Sequence, residues 1–260
     1  MGRRSGSTQR RRNSDRQFVG LDWPRAPIAA RTAERRDFVT AHAPLITPVI
    51  AQQLSAVIAV VIGMLTLAII FYREPFQLWK YPLSDLGATV TEHGLPNTPS
   101  LVFFDCGMLA SSLIMLRISS RFAASKVRNR KIKRGLTLLG AAGFFVIMFP
   151  YNISDPVHMT GGGMVFGSLW ALTVLLLLET RPRAGRLRFW LLQLLLQLTI
   201  LPYAALFLLG PPIKQAFQKP AVVGLMLTLR ITVGICNKLD LVGSHLRVVH
   251  SAFSSHTEKG

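Results

Sequence analysis

The sequence is poor in charged residues, in acids and in cysteine, and each shortage excludes a class of protein. Charged residues make up only 16% of 260 positions, which is low for a soluble globular domain. The two cysteines have no CxxC spacing and no neighbouring histidine, so nothing suggests a metal or redox centre. Only 12 acids accompany 30 Lys and Arg, and half of all residues are apolar. This composition indicates a basic protein whose core lies in a membrane.

Motifs that identify common enzyme classes are also missing. The sequence contains no Walker motif, no dinucleotide fingerprint and no GxSxG nucleophile elbow. No HxxxH or HExxH spacing places two metal ligands on one helix face. We therefore predict no cofactor and no metal site, and the sequence leans away from an enzyme.

Long apolar stretches are the main feature that is present. Six of them are separated by polar segments: Thr47 to Tyr72, Thr98 to Leu116, Gly135 to Pro150, Gly161 to Leu178, Phe189 to Leu209 and Ala221 to Cys236. A helix needs about 20 residues to cross a hydrocarbon core of about 30 Å. The third and sixth stretches are shorter, but both are needed to keep the charge pattern described next. The sequence predicts an all-α, polytopic transmembrane helix bundle with six spans.

Lys and Arg are distributed unevenly around these stretches. In chain order, the segments outside them hold ten, two, eight, none, four, two and three, and Arg230 lies inside the sixth stretch. Segments rich in Lys and Arg stay in the cytoplasm by the positive-inside rule. Both termini are therefore predicted to be cytoplasmic. The expected domains are a basic disordered tail over 1–44, a six-helix transmembrane domain over 45–236 and a short tail over 237–260.

The net charge of +18 predicts lipid contacts and not nucleic-acid binding. The positive residues lie in loops and a tail beside apolar stretches, not on one folded basic face. Membrane lipids are the expected partners, with anionic headgroups at the cytoplasmic loops and tail. A transit peptide is an alternative for the Arg-rich start, but acids such as Asp15 and Glu34 argue against it. The sequence leaves the oligomeric state open.

The residues that can carry chemistry fall on the opposite side of the membrane in this topology. One loop holds Ser84 and Asp85, the second stretch holds Asp105 near its start, and the loop before the fourth stretch holds Asp155 and His158. All of them are expected near the outer interface, where they can converge. Ser84 and Asp85 have a plain structural alternative, as caps of a short interfacial helix.

Asp105 and Arg230 are charged residues inside apolar stretches. Such charges are costly in a bilayer and normally find a partner inside the bundle. The second and sixth spans run in the same direction, and the two residues differ in depth by roughly 6 Å, so we predict that they form an ion pair. The candidate ligand site comprises Ser84, Asp85, Asp105, Asp155, His158 and Arg230.

Small residues cluster at the start of the fourth stretch. Gly161, Gly162 and Gly163 are followed by Gly167 and Ser168. Gly163 and Gly167 are four positions apart, a spacing that lets helix backbones approach closely in lipid. We predict a helix-packing face here and not a phosphate cradle.

Several of these motifs resemble one family of membrane proteins. They are Ser-Asp-Leu-Gly at 84–87, Pro-Asn-Thr-Pro at 96–99, Phe-Phe-Asp-Cys-Gly at 103–107 and His-Met-Thr-Gly at 158–161. Together they resemble the six-span bacterial and archaeal proteins of domain of unknown function 998. The Ser-Asp pair and the Pro-rich start of the second span also resemble the Frag1/DRAM/Sfk1 family. The resemblance covers about 45–236 and implies six spans and a prokaryotic plasma membrane, but no reaction. Asp105 departs from the family pattern, so no role is implied for it.

Three function classes fit the outer polar residues. The first is binding or moving a lipid or small solute at this site, and it is the one that we favour. The second is an accessory or structural membrane protein without a ligand. The third is an intramembrane metal-dependent lipid hydrolase, which a single outer histidine makes less attractive.

Overall fold

The computed structural model describes residues 44–209 and 214–257. The tail predicted over 1–44 therefore lies outside the described residues, apart from Pro44. Within the two ranges the chain is helical and forms no β-strand, which confirms the predicted all-α class. Its elements are α1 (Pro48–Ile70), a 3-10 helix (Leu83–Gly87), α2 (Thr98–Ala124), α3 (Arg130–Val146), α4 (Asp155–Ala184), α5 (Arg186–Leu209) and α6 (Lys214–Thr257).

Five of the helices are long and apolar enough to cross a membrane: α1, α2, α4, α5 and the first part of α6, Gln215–Asp240. Large apolar side chains such as Ile62, Leu113 and Leu198 are exposed on them, as expected of surfaces that face lipid. The third predicted span falls on α3, which has 17 residues, about 26 Å long, and begins with four basic residues in five positions. The number of six spans and the orientation of the termini stay predictions.

Local sequence explains how the helices begin and end. Thr47 caps α1, because its Oγ1 accepts a hydrogen bond from Ile50 N at 3.3 Å. α3 follows Asn129, whose backbone is left-handed with a φ of 51°. α6 continues beyond Cys236 to Thr257 and contains Pro220 near its start.

Five helices form a ring. α1, α2, α3 and α4 each pack against the next helix in the chain, and α6 closes the ring by packing against both α4 and α1. α5 lies outside the ring, against α4 and α6. We call the end of the bundle that carries 82–97 and 147–155 the loop end, and the end that carries 125–134 and 185–188 the basic end. Both cysteines are free.

Glycine permits a close approach of α3 and α4. A Cβ at Gly161 would lie 2.5 Å from Ile147 N, and a Cβ at Gly143 would lie 2.7 Å from Val165 N. By contrast, a Cβ at Gly163 or Gly167 would have no atom within 4 Å. The predicted packing face is therefore wrong for Gly163 and Gly167 within the described chain. These two residues form the floor of a groove, because α5 leaves a gap beside α4 at this level.

A buried ion pair joins the helices at the basic end. Lys133 Nζ donates to Glu179 Oε2 at 2.6 Å and to the backbone oxygen of Leu45 at 2.7 Å. The two charged side chains are 0% and 3% exposed. Asn129 Nδ2 also donates to Glu179 Oε1 at 2.8 Å, and Asp240 accepts from the backbone nitrogen of Leu45. The segment before α1 is thereby attached to α3, α4 and α6.

Candidate functional site

The Ser-Asp-Leu-Gly motif forms the 3-10 helix at the loop end, and α6 holds it from one side. Leu83 N donates to Gln218 Oε1 at 2.7 Å. Lys219 Nζ donates to the backbone oxygen of Tyr81 at 2.6 Å. Two polar side chains of α6 thus fix the loop that precedes α2, and the loop end is closed by hydrogen bonds between distant parts of the chain.

The start of α2 holds the same helix from the other side. Asn97 Nδ2 donates to two backbone oxygens of the motif and to that of the residue after it, at 3.1 to 3.4 Å, and Ser100 Oγ donates to Leu86 O at 2.9 Å. A Cβ at Gly87 would lie 2.6 Å from the ring of Phe104, so only glycine fits there without a shift. Packing and hydrogen bonds therefore constrain the residues of this motif, whether or not the motif also takes part in binding.

The predicted capping role of Ser84 and Asp85 is wrong. The residue at the N-cap of the 3-10 helix is Pro82, and no side chain makes a capping hydrogen bond there. Both predicted residues lie one or two positions inside the helix instead. Ser84 borders a cavity, and Asp85 is buried behind it.

A polar cavity of about 160 Å³ opens beside the 3-10 helix. Three of the predicted site residues line it: Ser84, Asp155 and His158. The rest of its wall consists of Pro82, Tyr151, Met159, Tyr203, Phe207, Gln215 and Gln218. Among these described lining residues there is one carboxylate, and there is no Lys or Arg. The structure thus brings together three residues that the sequence places up to 74 positions apart.

His158 connects this polar cavity to the interior of the ring. Its Nδ1 lies 2.8 Å from the backbone oxygen of Phe149, and only 4% of the residue is exposed. Because a carbonyl only accepts, Nδ1 carries the hydrogen and Nε2 is the acceptor of the neutral ring. The imidazole stacks on Phe104 and meets the edge of Tyr151. His158 also lines a narrower cavity of about 70 Å³, whose wall includes residues of all five ring helices.

Asp85 lies beside the polar cavity and is buried. Only 6% of the residue is exposed, and Oδ1 has no hydrogen-bond partner among the described residues. Burial raises the pKa of Asp85 to about 6, and a hydrogen bond from Tyr151 opposes that rise. Burial and the neighbouring carboxylate also raise the pKa of Tyr151 to about 12, so its hydroxyl keeps its proton at neutral pH. Tyr151 therefore connects the buried acid to the cavity.

The raised pKa predicts how stability depends on pH. Between about pH 4 and pH 6 the folded chain retains the Asp85 proton that the unfolded chain releases, so stability falls as the pH rises. Asp85→Asn has no proton to lose. It should be more stable than the wild type by about 2 kcal/mol at pH 8, allowing for solvent screening, with little gain at pH 4. Melting curves in detergent at pH 4, 6 and 8 measure this. An equal effect at all three pH values would contradict it.

The predicted ion pair between Asp105 and Arg230 does not form. The two residues lie on α2 and α6, which do not pack against each other in the described ranges. Asp105 is half-buried, and its Oδ1 has no hydrogen-bond partner among the described residues. Arg230 is exposed and lines a groove near the basic end together with Arg188 and Lys238. Depth along parallel helices does not specify which helices are neighbours, and the ring arrangement separates these two.

An apolar groove adjoins the polar cavity on the outside of the ring. It lies between α4 and α5, has a volume of about 320 Å³ and includes Gly163 and Gly167. Its other walls are Gly162, Phe166, Trp170, Ile200, Leu201, Tyr203, Ala204, Phe207 and Leu208. Tyr203 and Phe207 line both the groove and the polar cavity. A molecule with a polar part and an apolar part can therefore contact both at once.

Sequence reasoning missed the residues that α5 and α6 contribute to the site. Tyr203 lies in the fifth apolar stretch, and Gln218 precedes the sixth. Nothing in their local sequence marks them. Four polar residues at 214, 215, 218 and 219, close to the start of the sixth apolar stretch, are the one usable signal. The partner of Gln218, the backbone of Leu83, is 135 positions away.

No group of three or more His, Cys, Asp or Glu side chains within the described residues is arranged to hold a metal ion. Comparison with known proteins finds no family model, no curated protein and no solved structure that matches this chain. The resemblance to the two six-span families stays a prediction. Functional inference therefore depends on the geometry of the polar cavity and the apolar groove.

Proposed function

We propose that this protein is a six-span integral membrane protein that binds a lipid at its loop end. One observation supports this most strongly: the polar cavity and the apolar groove share Tyr203 and Phe207 as a common wall. A lipid has a polar headgroup joined to apolar chains, and this pair of neighbouring surfaces matches that division. Sites of this kind, mostly apolar with a few convergent polar groups, are typical of small-molecule binding.

The cavity wall favours a headgroup that donates hydrogen bonds or carries positive charge. Asp155 offers a carboxylate, and the neutral ring of His158 offers an acceptor nitrogen. The aromatic rings of Tyr151, Tyr203 and Phe207 can hold a cation against their faces. A bare anion would meet Asp155 and no Lys or Arg of the described lining. We therefore infer a zwitterionic or hydroxyl-rich headgroup, such as one ending in an ammonium group.

The groove suits one acyl chain. From Gly162 to Trp170 it follows α4 for about 12 Å on the outside of the ring. Phe166 and Trp170 line its α4 side, and Trp170 Nε1 donates to Gln197 Oε1 of α5 at 3.2 Å. That hydrogen bond joins the two helices beside the gap. A lipid can enter such a groove sideways, without passing through water.

Orientation and location are part of the same proposal. The uneven distribution of Lys and Arg favours a cytoplasmic basic end, which would place the polar cavity in the outer leaflet. The six-span family resemblance favours the plasma membrane of a prokaryote. Cysteine-labelling of a residue in the basic segment near Asn129, from either side of sealed vesicles, tests this orientation independently of lipid binding.

Filling the groove should weaken lipid binding without unfolding the protein. Gly163→Leu introduces a side chain where the structure has open space, so it can occupy the groove with little strain. We expect this variant to bind phosphatidylethanolamine at least about ten-fold more weakly than the wild type. Native mass spectrometry of the purified protein, titrated with this lipid in detergent, measures the change. The matched control is Gly63→Leu, an exposed glycine of α1 that also has no atom within 4 Å and lies outside the groove.

A separate measurement tests which headgroup the polar cavity prefers. Asp155→Asn should weaken binding of phosphatidylethanolamine more than binding of phosphatidylglycerol, because only the former has an ammonium group to attract. Equal binding by the wild type, Gly163→Leu and Gly63→Leu would contradict the proposal. That result would favour an accessory or structural protein that binds no ligand at the loop end.

A further inference from the structure

A second, basic groove lies between α5 and α6 near the opposite end of the bundle. Its volume is about 630 Å³, and three cationic side chains line it: Arg188 of α5 and Arg230 and Lys238 of α6. Its remaining walls are Ile231, Gly234, Ile235 and Leu239. All three cations are exposed, and the described lining includes no acid. The groove therefore combines concentrated positive charge with apolar walls.

The residues of α6 form one row along the helix. Arg230, Gly234 and Lys238 are four positions apart, so they share a face. Arg230 Nη1 lies 3.9 Å from the position of a Cβ at Gly234, which places the guanidinium over the next turn toward the basic end. Long side chains in a helix usually point the other way, toward its N-terminus. Arg230 is thus extended toward the membrane surface as a snorkelling residue is, over a glycine that leaves it room.

Arg230 lacks a protein counter-ion in the part of the chain that is described. None of the ion pairs among those residues includes it. It lies within Gln215–Asp240, a segment apolar enough to span a membrane, about 15 Å from the end of that segment. A charge at this depth costs free energy unless an anion or water reaches it. Arg188 and Lys238 cannot serve, because they are cations.

We propose that the basic groove binds the phosphate of an anionic phospholipid at the basic end. Arginine matches a phosphate with two parallel hydrogen bonds, and a second arginine with a lysine neutralises a headgroup of net negative charge. The acyl chains then contact the apolar walls of the groove, Ile231, Ile235 and Leu239. A free phosphate would leave these walls exposed. This site is separate from the loop-end site and does not depend on it.

Native mass spectrometry of the full chain, titrated with dioleoylphosphatidylglycerol or dioleoylphosphatidylcholine, tests the proposal. Because the loop-end site is proposed to bind a zwitterionic lipid, these titrations use the Gly163→Leu background, in which the apolar groove is filled. This chain should bind the anionic lipid saturably and about ten-fold more tightly than the zwitterionic lipid. Arg230→Leu should weaken the anionic lipid about ten-fold and leave the zwitterionic lipid unchanged. Arg117→Leu is the matched control, since it removes an exposed positive charge of α2 outside the groove.

A second variant tests the space inside the basic groove separately from its charge. Gly234→Leu keeps all three cations but fills the space over which Arg230 lies, so it should weaken the anionic lipid as well. Melting curves confirm that each variant remains folded. Wild-type affinity for phosphatidylglycerol in both Arg230→Leu and Gly234→Leu would overturn the proposal. Displacement of the lipid by millimolar inorganic phosphate would also overturn it, because that result would indicate a site for small anions only.

Discussion

Lys133→Met should destabilise the protein by about 3 to 5 kcal/mol, which we expect to be the largest effect of any single substitution proposed for this chain. Lys133 and Glu179 are 0% and 3% exposed and lie 2.6 Å apart. Removing the lysine leaves the Glu179 carboxylate buried without its cation, and it also leaves Leu45 O without this donor. The free energy of unfolding in mixed detergent micelles measures the loss.

Two further variants separate the buried charge from a general effect of losing lysine. Lys131→Met removes an exposed charge two positions away and should change stability by less than about 0.5 kcal/mol. Lys133→Met combined with Glu179→Leu should be more stable than Lys133→Met alone, because no unpaired charge then remains. A double variant as unstable as the sum of the two single variants would contradict a direct ion pair.

Gly161→Ala should separate α3 from α4 and destabilise the bundle by about 1 to 3 kcal/mol. The added Cβ would lie 2.5 Å from Ile147 N and 2.8 Å from Ile147 Cα. These are backbone atoms, which cannot rotate away as a flexible side chain can. The helices must therefore move apart, and the hydrogen bond of His158 to Phe149 O is close enough along the chain to be disturbed. Thermal unfolding in detergent measures the cost.

Another glycine of α4 supplies the control for this substitution. Gly167→Ala adds the same methyl group to the same helix in open space, so it should be neutral or slightly stabilising, because alanine favours a helix. If Gly161→Ala and Gly167→Ala had equal stability, the close contact of α3 with α4 would not be a constraint on this fold. The comparison therefore tests the close contact between α3 and α4, which are neighbours in the ring.

The position of α5 explains how one bundle can offer two grooves. α5 packs against α4 and α6 and is not part of the ring. The apolar groove lies on its α4 side toward the loop end, and the basic groove lies on its α6 side toward the basic end. If both proposals hold, α5 contacts a lipid at each end, and each groove is specific for a different headgroup charge.

Part of the candidate site was predictable. Ser84, Asp155 and His158 were expected at one end of the bundle because alternating spans place their loops on the same side, and these three residues line one cavity. Asp105 and Arg230 were misplaced as a pair because the sequence specifies depth along a helix but not its neighbours. Lys133 was one of eight basic residues in its segment, and nothing local separates it from the exposed Lys131.

Composition and hydrophobic pattern by themselves determined the helical class, the approximate helix positions and which loops share an end, because these depend on local free energies of transfer and on chain direction. Only the tertiary structure decided that α6 lies between α1 and α4, that Lys133 is buried against Glu179, and that α5 leaves a gap over Gly163 and Gly167. Those features depend on which side chains meet across helices that are far apart in the chain. In lipid, where apolar faces are nearly equivalent, shape and polar contacts select these neighbours.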